Sequence, residues 1–558
     1  MHNQARRILD SILLGIVGAL GAQVFTFMLD AVSSLSLSGV AGYRAPGLAS
    51  DGGTLQQVIG PHGLWLIPLI TTLGGLLSGL LVYSLAPEAE GHGTDTAVKA
   101  FHRAGGFIRA RIAPLKAFAS AITIGTGGSA GREGPTALIS AGVGSLYATL
   151  TKRPDEERRL LVLVGMAAGL SAMFRSPIGT AIFAVEVLYR DMEFDAPALM
   201  YTMLASVVAY AVNGLITGWN PLFTVPETAA PSVLYDYAGY LLLGLASGVL
   251  ATVVPMVFYR VRDGFRSIPL PDHIKPALGG LGVGLIALWL PQVLGGGYGW
   301  IQLAMNGKLA LGLMTALVLA KLLALALTVS SGGSGGVFAP SLFVGAMLGG
   351  AFARVLGQPP APFVIVGMAA LFAGAARVPI ATMLMVTEMT GGYHQLVPAG
   401  LAVTISYLVQ RALSSKLLYP SLYEAQVLRP ADSPAHHQEQ VETALHLLQH
   451  HLVNLPAGIH HLRLTDLLSS GVPLDLPDGG QLVIGVLPRK GQWDGRKLSD
   501  WQLPDGAAVV IAVFRGEKTH LPRRDLVLQT GDRLLVIVSP NRWSDLRERL
   551  VPLGEKEK

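Results

Sequence analysis

The stretch GGSAGREGPTALISAG, residues 127–142, places a charged pair, Arg132 and Glu133, among glycines and a proline. A second stretch, GGSGGVFAPSLFVGAM at 332–347, aligns with it without a gap at an offset of 205 but carries no charge. In each, a proline stands where an apolar helix would begin, a position that tolerates proline. Because the free N–H groups of a first helical turn attract anions, the two helix starts predict an anion site between them. The alternative is that both are only Gly-rich contacts between helices.

The composition is that of a polytopic membrane protein. Only 14% of the 558 residues are charged, whereas soluble domains average about 25%. The uncharged runs 237–259, 322–353 and 355–376 are each long enough to cross a bilayer core. The 67 glycines predict broken and tilted helices. Arg6 and Arg7 favour a cytoplasmic N-terminus, and the net charge of +5 fits cytoplasmic loops better than nucleic-acid binding.

The membrane part repeats itself beyond the opening stretch. The segment GMAAGLSAMFRSPIGTAIFAVEVL, 165–188, aligns with GMAALFAGAARVPIATMLMVTEM, 367–389, at an offset of 202. Arg, Pro, Ile, Thr and Glu coincide in the two copies, which chance matching of apolar segments does not produce. Two repeats are therefore predicted, at about 60–215 and 270–420. Duplication is typical of transport folds in which interrupted helices meet at a central site.

A different composition begins near residue 430, where charged residues become more frequent. We predict a membrane domain at 1–430, a linker and helix at 431–475, and a small α+β domain at 476–553 with strands at 481–487, 507–514 and 532–538. The last domain resembles the TrkA-C regulatory domain of potassium-transport proteins. That resemblance implies a dimerising or ligand-sensing role, with a small molecule as a possible ligand.

No metal site or disulfide is predicted. The chain has no cysteine, and the histidines clustered at 436–461 lack the spacing of a defined metal site. No cofactor is implied.

Glu133 is a candidate functional residue, because a carboxylate inside a membrane is costly. Its own charge can occupy the predicted anion site, and protonation would release it. The alternative is a structural salt bridge between Glu133 and Arg132.

The motifs GREGP at 131–135, GGVFAP at 335–340 and KLLY at 416–419 resemble those of the CLC chloride channels and chloride/proton exchangers. The resemblance implies an all-α membrane domain of two inverted repeats with broken helices. It also implies a homodimer with one pore per subunit in the bilayer of a cell membrane, and both termini in the cytoplasm. Glu133 becomes the external gating glutamate. The implied anion-binding residues are Gly91, His92, Gly93, Arg132, Gly134, Val337, Phe338, Ala339 and, as a hydroxyl donor, Tyr419.

Two positions depart from the family pattern. His92 stands in GHGTD, 91–95, where the family usually has a serine that contacts the anion, so chloride selectivity and pH dependence are affected. Val187 stands where exchangers usually carry an internal proton-transfer glutamate, directly after Glu186. The sequence therefore predicts a passive chloride channel gated by voltage or pH. A chloride/proton exchanger, with His92 as a substitute proton carrier, is the alternative.

A function of another class is an intramembrane serine protease. The motif GGSG at 332–335 fits a nucleophile pattern in which Ser334 would need a histidine such as His394. The repeat-mate of Ser334, Ser129, favours a duplicated transport site over an enzyme.

Overall fold

The computed structural model describes residues 2–226, 234–430, 433–434, 474–475, 481–488, 493–501, 508–516, 518–520, 522–523, 525–538 and 550–552. It divides the chain into two compact units, Met1–Gln426 and Val427–Lys558. The helix predicted at 441–453 and the histidine cluster at 436–461 lie outside the described residues.

The first unit is helical and forms two successive series of helices along the chain. The first series is α1 His2–Ser33, α2 Ile67–Leu85, α3 Thr94–Arg103, α4 Ile112–Gly125, α5 Glu133–Leu150, α6 Asp155–Phe174, α7 Pro177–Glu186 and α8 Ala196–Thr217. The second series is α9 Leu234–Ser267, α10 Lys275–Ala287, α11 Tyr298–Met305, α12 Leu311–Ser330, α13 Phe338–Leu356, α14 Pro360–Ala376, α15 Pro379–Thr390 and α16 Leu396–Ser414. A two-residue antiparallel pair, β1 Tyr43–Arg44 and β2 Val58–Ile59, lies between α1 and α2 in the chain.

Helix lengths match the prediction of interrupted helices. Among the described residues, seven helical segments are long and apolar enough to cross a membrane. Others are too short to do so, including α4, α7, α10 and α14 with 10–17 residues. A helix that ends before it has crossed a bilayer core needs surrounding protein or a cavity to satisfy its free N–H and C=O groups.

The two repeats cap each other's helices. Glu388, near the end of α15, accepts hydrogen bonds from the N–H groups of Ile178 (3.1 Å) and Gly179 (2.8 Å) at the start of α7. Its repeat-mate Glu186, at the end of α7, accepts in the same way from the first turn of α15, at 3.1 and 2.7 Å. Each carboxylate satisfies helix N–H groups that have no partner within their own helix. Such reciprocal contacts are what a two-fold relation between the repeats produces.

A second reciprocal feature is a pair of buried lysines, Lys116 and Lys321, at an offset of 205. The Lys116 ammonium donates to two carbonyl oxygens of the loop 89–91, at 2.9 and 2.6 Å. The Lys321 ammonium donates to two carbonyl oxygens of the loop 293–295, at 2.8 and 2.5 Å. Each lysine thereby holds the Gly-rich loop that leads into a short helix, α3 in the first repeat and α11 in the second.

Glycines let the central helices approach closely. In α13 and α14, a Cβ atom on Gly345 would overlap the carbonyl oxygen of Gly367, and a Cβ on Gly367 would overlap that of Gly345. The two backbones are therefore in contact, a type of helix packing that is common in membranes. Gly21 in α1, by contrast, has no atom within 4 Å of its potential Cβ apart from the adjoining backbone of its own helix.

The second unit contains an antiparallel sheet of six strands: β3 Leu474–Asp475, β4 Gln481–Val486, β5 Ala508–Arg515, β6 Lys518–His520, β7 Arg533–Val538 and β8 Val551–Pro552. The order is β3-β4-β7-β5-β6, with β8 also paired to β4. The three predicted strands correspond to β4, β5 and β7, so the prediction of a small β-rich domain is confirmed. Asp532 binds Arg515 at 2.7 Å and raises the pKa of that guanidinium above its usual value.

We expect Gly345→Ala to lower the thermal unfolding temperature of the detergent-solubilised protein. Overpacking of this kind costs about 1–3 kcal/mol, since neither backbone can move without disturbing its neighbours. Gly21→Ala is the matched control, because it replaces a helical glycine in open space. It should leave the unfolding temperature unchanged or raise it. Equal effects of the two substitutions would contradict the close contact between α13 and α14.

Candidate functional site

The loops that lead into α5 and α13 are hydrogen-bonded to each other. The N–H of Gly131 donates to the carbonyl of Gly336 at 2.8 Å, and the N–H of Gly336 donates back to Gly131 at 2.7 Å. These two residues are repeat-mates at an offset of 205. The pairing brings two helix N-termini to one place inside the membrane unit. Both contribute positive partial charge there, as an anion site requires.

The Glu133 carboxylate lies at this meeting point. The side chain is buried, and its Oε2 accepts a hydrogen bond from the N–H of Ala339, in the first turn of α13, at 3.4 Å. Its Oε1 accepts a hydrogen bond from the hydroxyl of Tyr298. The carboxylate therefore lies against the N-terminus of α13, where an anion would bind.

Arg132 makes a different contact from the salt bridge considered as the alternative for Glu133. Its guanidinium binds Asp51 at 2.9 Å, and Asp51 also lies 3.4 Å from Arg175. Among the described residues, the ion-pair partner of Arg132 is thus Asp51. Arg132 is the N-cap residue of α5, so it contributes to the site through the backbone at the start of that helix.

Glu133 lines a small, partly enclosed cavity of about 10 Å³, close to the lower limit for holding one water molecule. Its lining combines residues from both repeats and is mostly aromatic and aliphatic. The lining residues are Thr94, Glu133, Gly134, Leu170, Phe174, Phe183, Val337, Phe338, Met385 and Tyr423. Four of the predicted site residues, Glu133, Gly134, Val337 and Phe338, are therefore together at this cavity.

The tyrosine at this cavity is Tyr423, and the assignment to Tyr419 is corrected. Tyr419 stacks on Tyr259 with ring centroids 4.4 Å apart, and its hydroxyl lies 3.2 Å from an oxygen of Asp263, outside the cavity. Tyr423 is 1% exposed and its hydroxyl is hydrogen-bonded to Thr94. The segment KLLYPSLY at 416–423 offers two tyrosines, and only the tertiary structure distinguishes them.

The predicted residues Gly91, His92 and Gly93 line a second, larger cavity of about 890 Å³. The His92 ring centroid is 5.4 Å from that of Tyr423, so His92 lies beside the small cavity without lining it. Its Nδ1 is buried and has no hydrogen-bond partner among the described residues. The carbonyl of His92 approaches Gly134 so closely that any Cβ at 134 would overlap it. The loop is thus packed directly against the start of α5.

Val187 is buried and carries no proton-binding group, as the sequence indicates. The neighbouring Glu186 is engaged by the first turn of α15. Acidic groups do occur at the larger cavity. Asp95 accepts a hydrogen bond from the N–H of Ala425 at 2.8 Å, and Glu424 binds Arg262 at 2.7 Å.

Ser334 is not arranged as a nucleophile. Its hydroxyl is buried, lies 2.8 Å from that of Ser120 and bonds to the carbonyl of Ala89 at 3.1 Å. His394 lines a separate cavity together with Ser50 and Thr224. The geometry therefore gives the protease alternative no support.

Tyr298, which contacts Glu133 directly, is not among the residues predicted from the sequence. A signal for it was present: Gly91 and Gly93 in GHGT align with Gly295 and Gly297 in GGGY at an offset of 204. This alignment makes Tyr298 the repeat-mate of Thr94. The Thr94 hydroxyl bonds to Tyr423 at the small cavity, and the Tyr298 hydroxyl bonds to the Glu133 carboxylate. Each of the two repeat-mates thus contributes a hydroxyl group.

Comparisons with known proteins match both units. A family model described as "Voltage gated chloride channel" matches residues 74–411, and a TrkA-C domain model matches 483–551. The H(+)/Cl(-) exchange transporter ClcA of Vibrio cholerae is 30% identical over 437 residues, covering 75% of this chain and 91% of the relative. ClcA of Vibrio parahaemolyticus is 29% identical over 425 residues, covering 74% and 88%. A solved slow cyanobacterial Cl-/H+ antiporter shares the fold with a TM-score of 0.65, at 24% identity, covering 75% of this chain and 97% of the antiporter chain.

These matches confirm both family resemblances and the fold class, a CLC-type helical membrane domain followed by a small sheet domain. They contradict the passive channel. The relatives described above are named as proton/chloride exchange transporters, which supports the alternative that the sequence analysis placed second. The error came from the weight given to Val187: one missing acid was taken to favour a channel over an exchanger, although other acidic groups lie at the larger cavity.

We expect Tyr423→Phe to weaken chloride binding about tenfold, because a hydrogen bond to a charged group contributes about 1.5–3 kcal/mol. Isothermal titration calorimetry on the detergent-solubilised protein measures this. Tyr419→Phe is the control, since it removes a hydroxyl four positions away that faces Asp263. A larger loss of affinity in Tyr419→Phe than in Tyr423→Phe would contradict the corrected assignment.

Proposed function

Because the chain belongs to the voltage-gated chloride channel family, we propose that it exchanges chloride or a similar small anion for protons across a cell membrane. The observation that carries the proposal is the position of Glu133. Its carboxylate is held by the Ala339 N–H and the Tyr298 hydroxyl beside the paired starts of α5 and α13. One charged group of the protein thus occupies the place that the helix starts prepare for an anion.

Competition for this place links the anion to the proton. The ionised carboxylate accepts hydrogen bonds from the donors that an anion needs, so the two exclude each other. Protonation removes the charge of Glu133 and weakens its attraction to the helix N-terminus. An incoming anion can then replace it, and departure of the anion allows the carboxylate to return and release its proton.

The site attracts an anion without a full positive charge beside it. Lys116 and Lys321 are buried nearby, but each ammonium donates to carbonyl oxygens of a loop. Arg132 is bound to Asp51. The attraction therefore comes from backbone N–H groups and hydroxyl groups. Such an environment binds an anion weakly enough for it to leave again.

We infer that the larger cavity opens toward the cytoplasm and supplies the second end of the pathway. Glu424, close to the end of the membrane unit, lines this cavity, which fits a chain that continues into a cytoplasmic TrkA-C domain. The unpartnered Nδ1 of His92 and the hydroxyl of Tyr423 are the polar groups that an anion would meet on the way to Glu133. His92 stands where the family usually has a serine, so the proposed substrate is chloride or another small anion.

A proton travelling from that side needs a carrier other than residue 187. His92 and Asp95 line the larger cavity, each carries an ionisable side chain, and the His92 ring lies 5.4 Å from that of Tyr423. This arrangement supports a proton route that bypasses Val187.

The remaining expectations concern assembly. A homodimer with one pathway per subunit, both termini in the cytoplasm, and a small-molecule ligand on the TrkA-C domain all follow from the family resemblance. They remain proposals for this chain.

Flux measurements on reconstituted liposomes test the exchange. A chloride gradient imposed at equal pH should drive net proton movement in the wild-type protein and so build up a pH difference across the membrane. Glu133→Gln mimics the protonated carboxylate, so it should conduct chloride at neutral pH at least as fast, with no proton movement and no pH dependence.

Glu388→Gln is the matched control, a buried glutamate that caps α7 away from the anion pathway. It should keep proton coupling. Chloride flux without proton movement in the wild-type protein would refute the exchange. An unchanged pH dependence in Glu133→Gln would refute the role of that residue.

A further inference from the structure

We propose that Tyr298 is a side-chain ligand of the outer anion site, whose hydroxyl holds the Glu133 carboxylate and then donates to the anion that replaces it. The proposal rests on the proposed function for the release of Glu133. It adds a donor that comes from a side chain of α11, in addition to the backbone N–H groups of α5 and α13.

The Tyr298 hydroxyl donates a hydrogen bond to Oε1 of the Glu133 carboxylate. The other carboxylate oxygen, Oε2, accepts from Ala339 at 3.4 Å. The tyrosine and the helix start therefore bind the two oxygens of one group. When the carboxylate leaves, both donors lose their acceptor at once, and leaving them unpaired in a buried site is unfavourable.

The Tyr298 ring is held in place from several directions. Its centroid lies 5.9 Å from that of Phe223 and 5.3 Å from the guanidinium carbon of Arg132. The residue before it, Gly297, has φ +82° and packs so closely on Phe343 that a Cβ would be 2.5 Å from the ring. The hydroxyl is thus positioned before an anion arrives, which reduces the entropy lost on binding.

The rest of the loop is equally constrained. Lys321 binds the carbonyls of Val293 and Gly295, just before Tyr298 in the chain. In the other repeat, Lys116 holds the corresponding loop before Thr94, and Thr94 binds Tyr423. In each repeat, therefore, a lysine-bound loop is followed by a residue with a hydroxyl group: Thr94 in the first repeat and Tyr298 in the second.

Few charged or titratable groups face Glu133 besides Tyr298. Arg132 lies at the start of α5 and is paired with Asp51, and Tyr423 lies across the small cavity. The first turn of α13 presents Phe338, Ala339 and Pro340, which do not titrate. Removing one hydroxyl should therefore have a clear effect on the pH at which the carboxylate leaves the site.

The test is the pH profile of anion flux in liposomes for Tyr298→Phe, which keeps the ring and removes the donor. Since the hydroxyl stabilises the ionised carboxylate, the midpoint of the profile should move about one unit toward higher pH. In a Glu133→Gln background, Tyr298→Phe should no longer shift the midpoint. In that same background, Tyr298→Phe should lower the affinity for chloride roughly three- to tenfold. Tyr43→Phe is the control, because Tyr43 is a buried tyrosine whose hydroxyl bonds to the backbone carbonyl of Pro291, at 3.3 Å, and to the side chain of Gln57, not to Glu133.

A second variant gives the opposite sign and protects the test against misfolding. Site-specific 3-fluorotyrosine at position 298 is a stronger donor of similar size, so the midpoint should move toward lower pH. An unchanged midpoint in both variants, with unchanged chloride affinity in the Glu133→Gln background, would overturn the proposal. Failure of the exchange itself would appear separately, as missing proton movement in the wild-type protein with the Tyr298→Phe shift in anion flux still present.

Discussion

The membrane unit depends on two backbone hydrogen bonds, those exchanged between Gly131 and Gly336. They fix the starts of α5 and α13 against each other, and only glycine allows the approach. A Cβ on Gly336 would lie 2.9 Å from the carbonyl oxygen of Gly131 and closer still to the N–H of Gly134. Because both loops end in helix N-termini, this one contact creates positive potential inside the membrane without a charged side chain. The lysine-held loops and the reciprocal glutamate caps extend the same two-fold arrangement outward.

The function arises where that symmetry is broken. The repeat-mate of Glu133 is Phe338, so one helix start carries an ionisable side chain and the other an aromatic ring. Similarly, Thr94 and Tyr298 are mates of different size, and they reach different partners, Tyr423 and Glu133. Of the two helix starts at the proposed anion site, one carries a carboxylate, so an ionised side chain can block the site only from the Glu133 side. Protonation then acts on a single group, and the proposed exchange uses that group to couple anion movement to proton movement.

Much of this could be predicted from the sequence, because repeats, glycine-flanked prolines and an isolated intramembrane acid are local patterns with direct physical meaning. The broken helices, the duplicated segments whose helix starts meet in the structure, and the strands of the tail were predicted in this way, whereas the anion site between those helix starts stays a prediction. The choice between Tyr419 and Tyr423 could not be, since both follow the same helix and only packing against Tyr259 or Thr94 separates them. Tyr298 was missed because its contact with Glu133 joins residues 165 positions apart. Val187 misled because a missing acid says nothing about titratable groups that other segments, such as the loop before α3, bring to the same cavity.

The central claim is that an anion and the ionised Glu133 carboxylate compete for one place, so anion binding must be accompanied by proton uptake. Calorimetric titration of chloride in buffers of different ionisation enthalpy, at a pH where Glu133 is ionised, counts the protons taken up per anion bound. The account predicts net uptake approaching one proton in the wild-type protein and none in Glu133→Gln. Chloride binding without proton uptake in the wild-type protein, or equal uptake in both proteins, would contradict it.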